Sequence, residues 1–404
     1  MLKRRKKKET QNAIFHTSEV VFLIIVTSIV SCFMGILCAK GYRNYDENIV
    51  EVKDENLKEI VNNYQYIIDN YYKEFDKDAL VKGAINGMIE SLGDQFSMVI
   101  DDENLDNFNR TLNGWFKGLG IEISNNDDGN VFIASVFDDS SASRKGLEVG
   151  DVIISINGIN FEGKTFSEVA DYIKKDTVDT VDLVILRDGV KKSFNGLKKE
   201  KVILKSVVKE VFERNDKKVG YLYVSTFSGT TYDQFKTTLE ELEKDNIDSL
   251  IIDIRNNSGG HLTAAEKILS LFLNKKHVIY QVETKSNKVK VYATGTADKK
   301  YTVAILQNGA TASAAEIVSS ALKEEYGATV IGDVSFGKGT IQELVNGSTE
   351  YKVTTKKWLT PKGDWINEIG VEPNIKVDLS EEYKNSPSYE TDNQLQTALD
   401  TLTK

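Results

Sequence analysis

Cysteine and histidine are scarce in this 404-residue chain, and the 51 basic side chains are outnumbered by 61 acidic ones. The two cysteines, Cys32 and Cys38, both lie in an apolar stretch near the start, so the rest of the chain has no thiol for a disulfide or a thiolate metal site. Only His261 and His277 follow that stretch, which leaves few candidates for histidine-based catalysis. Residues 20–404 carry a net charge of −14, because residues 1–19 hold six basic and two acidic side chains of a chain whose net charge is −10. A region so acidic is not expected to bind nucleic acid.

The longest uncharged run, residues 20–39, is long enough to cross a bilayer as a helix. The basic segment 1–19 before it predicts a cytoplasmic N-terminus, a single-pass anchor in the cell membrane and an extracytoplasmic catalytic part. A cleaved signal peptide and a lipoprotein signal ending at Cys32 are the alternatives. The anchor is favoured over the lipoprotein because the chain stays apolar through Ala39, where a processed lipoprotein normally turns polar.

Residues 40–113 are predicted to form a helical lead-in. Apolar residues recur at helical intervals in NLKEIVNNYQYIIDNYY, which begins at Asn56, and in ALVKGAINGMIESLGDQFSMVI, which begins at Ala79. Helices of this kind either hold the following domains away from the membrane or pair two copies of the chain in a homodimer.

Short β-like runs and glycine turns mark residues 115–200. GLGIEI and GLEVGDVIISING lie about 30 residues apart, and together they resemble a PDZ domain. In that family a glycine loop presents successive backbone N–H groups to the carboxylate of a peptide C-terminus, and the peptide adds as a strand beside it. The resemblance assigns that loop to four consecutive residues: Gly118, Leu119, Gly120 and Ile121.

Residues 201–380 alternate apolar strands with amphipathic helices, which predicts an α/β domain with a largely parallel sheet. In such sheets active sites lie beyond the carboxyl ends of the strands. The loops RNNSGG and NGATAS each follow a predicted strand, so we expect them to share one edge. The polar tail 381–404 is either disordered or a packing helix. The fold class is therefore multidomain: a transmembrane helix, a helical lead-in, a small β-rich PDZ domain and an α/β core.

Ser313 stands among alanines at the start of a predicted helix, whose free N–H groups would stabilise an oxyanion. A serine hydroxyl needs a base to take its proton. His261 follows the RNNSGG turn, but no GxSxG elbow surrounds any serine, which disfavours a histidine triad. Lys338 lies 25 residues after the serine between two glycines, and a buried lysine can be neutral at working pH.

Taken together, DIRNNSGG, NGATASAAEIVSSAL, GDVSFGKGTIQ and LTPKGDWINEIGVEPNI resemble the C-terminal processing peptidases, also called tail-specific proteases. The resemblance covers nearly the whole chain after the apolar run. It implies a Ser-Lys endopeptidase that needs neither metal nor cofactor and acts on the C-termini of proteins or peptides. By this similarity Ser313 is the nucleophile, Lys338 the general base and Gln342 the residue that positions the lysine. The oxyanion hole would be the N–H of Ala314 with one from the Gly259-Gly260 turn.

Three departures from the family pattern leave the dyad intact. Thr311 stands where serine is more usual, Ser258 where proline is frequent, and Gly363-Asp364-Trp365 where other polar residues are common. Trp365 is expected to narrow or line a peptide channel. The alternatives are a catalytically inert, membrane-anchored PDZ scaffold and a hydrolase of cell-wall or small esters and amides. A role in regulatory proteolysis of the cell or spore envelope rests on family analogy alone.

Overall fold

The computed structural model describes residues 54–100, 110–126, 129–175, 179–296, 299–345, 347 and 349–404. The predicted membrane segment 20–39 lies outside these residues. Among the helices that are described, none combines the length and apolar character that crossing a bilayer requires.

The predicted helical lead-in contains two helices, α1 (Glu55–Asn70) and α2 (Lys77–Glu90). Asp54 caps α1 by accepting hydrogen bonds from the N–H groups of Asn56 and Leu57. The second predicted helical run is wrong in its last third, where Gly93 has φ 64° and the chain makes a turn. A short strand, β1 (Met98–Val99), follows that turn.

The segment predicted as a PDZ domain has a six-stranded antiparallel sheet whose main path runs β3-β4-β5-β7-β8, with β6 beside β5. Strand β3 lies at the edge of this path. A separate pair, β2 with β9, leads into and out of the domain. The elements are β2 (Trp115–Gly118), β3 (Ile121–Asn125), β4 (Val131–Val136), α3 (Ser141–Lys145), β5 (Val152–Ile156), β6 (Ile159–Asn160), α4 (Phe166–Lys174), β7 (Thr180–Arg187), β8 (Val190–Lys198) and β9 (Glu200–Ile203).

The largely parallel sheet is confirmed, and it runs β10-β11-β12-β15-β16-β19 with only the β10 pairing antiparallel. A second sheet places β18 between β13 and β17, with β1 also on β18. The elements are β10 (Val207–Arg214), β11 (Lys217–Val224), α5 (Thr231–Lys244), β12 (Ser249–Asp253), α6 (Leu262–Phe272), β13 (Val278–Glu283), β14 (Lys288–Tyr292), β15 (Thr302–Gln307), α7 (Ala314–Ala321) with a π-helical turn (Leu322–Tyr326), β16 (Thr329–Gly332), β17 (Thr340–Val345), β18 (Tyr351–Leu359), β19 (Ile375–Lys376), α8 (Glu381–Asn385) and α9 (Asn393–Leu402).

Both faces of the parallel sheet are covered. On one face Leu250 and Ile252 pack in a core that includes side chains of α5, α6 and α7. On the other face Ile251 packs in a core with Leu395 and Leu399 of α9. The polar tail is therefore a packing helix, since the buried second face of a parallel sheet needs an apolar cover.

Candidate active site

Ser313 lies directly before the first residue of α7, where its backbone has φ 57° and ψ −121°. A positive φ is rare for a residue with a side chain and costs about 1–3 kcal/mol. Such strained positions cluster at functional sites because the surrounding structure must hold them in place. The side chain is half-buried at the start of a helix whose residues are otherwise fully enclosed.

The two loops expected to share an edge do meet, which confirms their predicted arrangement. The N–H of Ala312 donates to the carbonyl of Asn257 at 3.0 Å. At Gly259, φ is 102° and a Cβ atom would lie 2.9 Å from Cβ of Ser313 and 2.8 Å from the carbonyl oxygen of Ala312. Glycine is therefore required there, because any side chain would push against the serine.

Not all three predicted oxyanion donors are free. The N–H of Gly259 donates to Oδ1 of Asn257 at 2.8 Å. In the described part of the chain the N–H groups of Gly260 and Ala314 have no hydrogen-bond acceptor. Gly260 must also be glycine, because a Cβ atom would lie 2.3 Å from the carbonyl oxygen of Phe227.

Lys338 lies in the loop between β16 and β17, and its backbone is fixed at both ends. Its N–H donates to Oε2 of Glu316 at 2.9 Å, and its carbonyl accepts from the indole of Trp358 at 2.7 Å. The flanking glycines are also sterically required. A Cβ atom at Gly337 would lie 2.9 to 3.0 Å from backbone nitrogens of the segment 368–370, and one at Gly339 would lie 2.7 Å from the indole nitrogen of Trp365.

Burial lowers the pKa of the Lys338 amine from its usual value of 10.5, and the like charge of Lys352 lowers it further. The carboxylates of Asp94 and Glu316 act in the opposite direction, without reversing the shift. The neutral amine is thus more populated than in a solvated lysine, as a general base requires.

The Lys338 amine nevertheless makes no hydrogen bond with the Ser313 hydroxyl in the structure as described. Its nitrogen lies 4.6 Å from the centroid of the Phe96 ring. Catalytic hydrogen bonds of free enzymes are often long and tighten only in the complex with substrate.

Glu316 was not predicted as a site residue from the sequence, although this residue connects the loop that ends at Ser313 to the loop that carries Lys338. Its side chain is fully buried, and Oε2 accepts the N–H of Ser313 at 2.7 Å as well as that of Lys338. Oε1 accepts the hydroxyl of Ser335 and the N–H of Gly337, both at 2.6 Å. A signal existed: serine followed three residues later by glutamate is the pattern of a helix capping box.

Gln342 lies on β17, and its amide nitrogen donates to the hydroxyl oxygens of Thr340 at 3.0 Å and Thr354 at 2.9 Å. Among the described residues its amide oxygen receives no hydrogen bond. Trp365, expected at a peptide channel, is 40% exposed and donates its indole N–H to the carbonyl of Gly339.

The two histidines have other contacts. His277 pairs through Nδ1 with Glu325 at 2.9 Å, in the π-helical turn after α7. His261 precedes α6, and its backbone N–H donates to the carbonyl of Phe227. Neither imidazole is hydrogen-bonded to Ser313 among the residues described, so the arrangement does not favour a histidine triad.

The predicted PDZ loop joins β2 to the edge strand β3. Leu119 is buried, and Gly120 has φ 87° with Cβ of Ser140 only 2.0 Å from the position that its own Cβ would take. At Gly118 a Cβ atom would lie 2.7 Å from the ring of Phe116. The free edge of β3, which begins at Ile121, is the geometry that strand addition by a peptide requires.

Three parts of the sequence match known families. Residues 218–377 match peptidase family S41, residues 116–186 match the PDZ domain, and residues 38–104 match the activating protease CtpB N-terminal domain.

Full-length relatives agree with these matches. Carboxy-terminal processing protease CtpB of Bacillus subtilis (strain 168) is 36% identical over 339 residues, which cover 83% of this chain and 70% of the relative. Carboxy-terminal processing protease CtpA of the same strain is 32% identical over 376 residues, covering 92% and 79%. A solved structure, photosystem II D1 C-terminal processing protease, is 24% identical with a TM-score of 0.48 and covers 84% of this chain and 89% of that one.

The identity to CtpB and CtpA extends over most of both chains, and it agrees with the resemblance seen in the sequence motifs. This chain belongs to the carboxy-terminal processing proteases of peptidase family S41, and it is a serine-type endopeptidase with a PDZ domain.

Proposed function

We propose that the chain cleaves peptide bonds with a Ser-Lys dyad in which Ser313 is the nucleophile and Lys338 the general base. The observation that carries the proposal is that one buried carboxylate, Glu316, holds the backbones of both residues. The strained backbone of Ser313 and the lowered pKa of the Lys338 amine support the same roles.

The reaction then follows from the groups present. Ser313 Oγ attacks the substrate carbonyl while Lys338 Nζ takes the hydroxyl proton. The tetrahedral oxyanion is stabilised by the N–H groups of Ala314 and Gly260, which are free of other acceptors within the described residues. When the C–N bond breaks, Lys338 returns the proton to the leaving amine. It next takes a proton from water, which attacks the acyl-enzyme, and then returns this proton to Ser313 as the acid product leaves.

For Gln342 we propose a positioning role. Its amide nitrogen donates to two threonine hydroxyls, which fixes the amide group. Its amide oxygen is then left to accept a hydrogen bond from the Lys338 amine. The Gly259 N–H is a weaker candidate for the oxyanion hole than that of Gly260, because it already donates to Asn257.

The PDZ domain is proposed to bind the free C-terminus of a protein or peptide substrate. The N–H groups of the loop at Leu119 and Gly120 would receive the terminal carboxylate, and the preceding residues would pair with the edge of β3. Binding of a tail in extended form suits a protease that acts on partly unfolded C-termini.

Anchoring in the cell membrane, with the catalytic part outside the cytoplasm, remains our proposal from residues 1–39. A homodimer is proposed through α1, whose apolar side chains Leu57, Ile60 and Ile67 are exposed. The cellular role suggested for such an enzyme is regulatory proteolysis in the cell or spore envelope. Fractionation with protease-accessibility assays tests the anchor, and analytical ultracentrifugation tests the dimer.

The dyad is tested with Ser313→Ala and Lys338→Ala, assayed on a peptide ending in apolar residues. We expect both to lose cleavage by at least about a thousandfold with unchanged circular dichroism, because the hydroxyl is unreactive without its base. Lys376→Ala, which removes an exposed lysine at a weak 3.7 Å ion pair, is the matched control and keeps full activity. Normal cleavage by Lys338→Ala would exclude the dyad.

A further inference from the structure

A turn formed by residues 94–97, which we call the Asp94 turn, contacts Lys338 but has no role in the proposed dyad. Its aromatic side chain, Phe96, faces the lysine with 4.6 Å between Nζ and the ring centroid. The turn is held internally: Oδ2 of Asp94 accepts the hydroxyl of Ser97 at 2.5 Å, and Oδ1 accepts the N–H of Phe96 at 3.1 Å.

The Asp94 turn is also attached to the strands beside the active site. Strand β1 continues from the turn and pairs with β18, with Met98 opposite Lys352. The hydroxyl of Ser97 accepts the N–H of Thr354 at 3.0 Å, and the hydroxyl of Thr354 accepts the amide of Gln342 at 2.9 Å. Hydrogen bonds thus run from the turn to the residue proposed to orient the lysine.

The contacts of Lys338 favour different protonation states. An aromatic face attracts an ammonium group, so Phe96 stabilises the protonated amine. The negative charges of Asp94 and Glu316 do the same, whereas burial and the charge of Lys352 favour the neutral amine. A general base must lose its proton before the reaction and hold it during the reaction, so the balance between these groups matters.

We propose that the Asp94 turn is a positioning element for Lys338, in which the ring of Phe96 holds the amine at the active site and, together with the charge of Asp94, stabilises the proton that the amine takes from Ser313. This inference rests on the proposed role of Lys338 as the base. It assigns to the end of the helical lead-in a part in the chemistry of the protease domain.

The test compares Phe96→Leu, which removes the aromatic face, with Phe96→Tyr, which keeps it. In the Ser313→Ala background, competitive acetylation of lysines across a pH series, read by mass spectrometry, titrates the Lys338 amine without turnover. We expect Phe96→Leu to lower the midpoint of the Lys338 titration by about 0.4–1.5 pH units. Phe96→Tyr should leave that midpoint at the value found with Phe96. In the enzyme with its serine, the acid limb of kcat/KM is expected to move by the same amount.

Phe336→Leu is the control, because that exposed ring lies two residues from the lysine without facing its amine; it should leave the titration unchanged. An activity loss that is uniform across pH, with the Lys338 titration unmoved, would overturn the proposal and leave Phe96 a purely structural residue. If Lys338→Ala is active, the dyad fails, whereas the acetylation titration still tests the contact with Phe96.

Discussion

Replacing Glu316 by glutamine should damage both stability and catalysis. The carboxylate accepts four hydrogen bonds, two at each oxygen, and is completely buried. An amide keeps one oxygen and presents an NH2 group to the other two donors. Hydrogen bonds to a charged group contribute about 1.5–3 kcal/mol each, so losing two gives about 3–6 kcal/mol. That is a large part of the roughly 5–15 kcal/mol by which domains are stable.

The stability of Glu316→Gln is measured by urea unfolding, followed by circular dichroism, beside Glu240→Gln as a control. Glu240 is an exposed carboxylate of α5, 3.9 Å from Lys236, and its replacement should not move the midpoint. Cleavage is then measured well below the transition, where the variant is folded. We expect kcat/KM to fall at least about a hundredfold, because an error near 1 Å in the position of reacting groups has that effect. An unchanged midpoint together with an unchanged rate would refute the reasoning.

Two glycine substitutions test the site and the peptide loop. Gly259→Ala should lower kcat/KM about a hundredfold or more, because the added Cβ would press on Ser313 and on the N–H of Ala314, a proposed oxyanion donor. Gly327→Ala shares the positive φ but has open space, so it should lose some stability and no activity in the same peptide assay. Gly120→Val should raise KM for peptides with free apolar C-termini, since its side chain would collide with Ser140, the N-cap residue of α3. Gly163→Val, at an open positive-φ position of the same domain, should keep its KM; equal KM values for both would remove the loop from substrate binding.

Local sequence pattern predicted the parallel sheet because its central strands, β11, β12 and β15, are short, apolar and each followed by an amphipathic helix. SLIIDI, for example, is buried on both faces as β12. The second sheet was not predicted. It contains two hairpins, β13 with β14 and β17 with β18, but these join each other and β1 across long separations, with Gln281 opposite Leu359 and Met98 opposite Lys352. Nothing local specifies such pairing.

In the proposed site, the motif residues such as Ser313 and Lys338 were predictable, because the glycine and alanine around them signal close packing. The residues that hold Ser313 and Lys338 in place could not be predicted. The local sequence indicates only that the Glu316 carboxylate caps a helix. The other groups that donate hydrogen bonds to it belong to residues 19 to 22 positions further along the chain. In the sequence Phe96 belongs to the apolar face of a predicted helix, whereas in the structure a glycine with a positive φ ends that run just before the Asp94 turn, which places Phe96 against Lys338.

The position of Glu316 also explains how the strained Ser313 and the half-buried Lys338, the proposed nucleophile and base, can be held at fixed positions relative to each other. The positive φ of Ser313 costs free energy that neighbouring contacts must offset, and the hydrogen bond from its N–H to Glu316 is one of them. The same oxygen accepts the N–H of Lys338. A shift of the Ser313 loop or of the Lys338 loop therefore lengthens one of the two hydrogen bonds that hold both loops on this carboxylate. Because the carboxylate is buried, water cannot replace a lost partner. The proposed nucleophile and the proposed base are therefore coupled through their backbones, even though their side chains are not hydrogen-bonded to each other in the described structure.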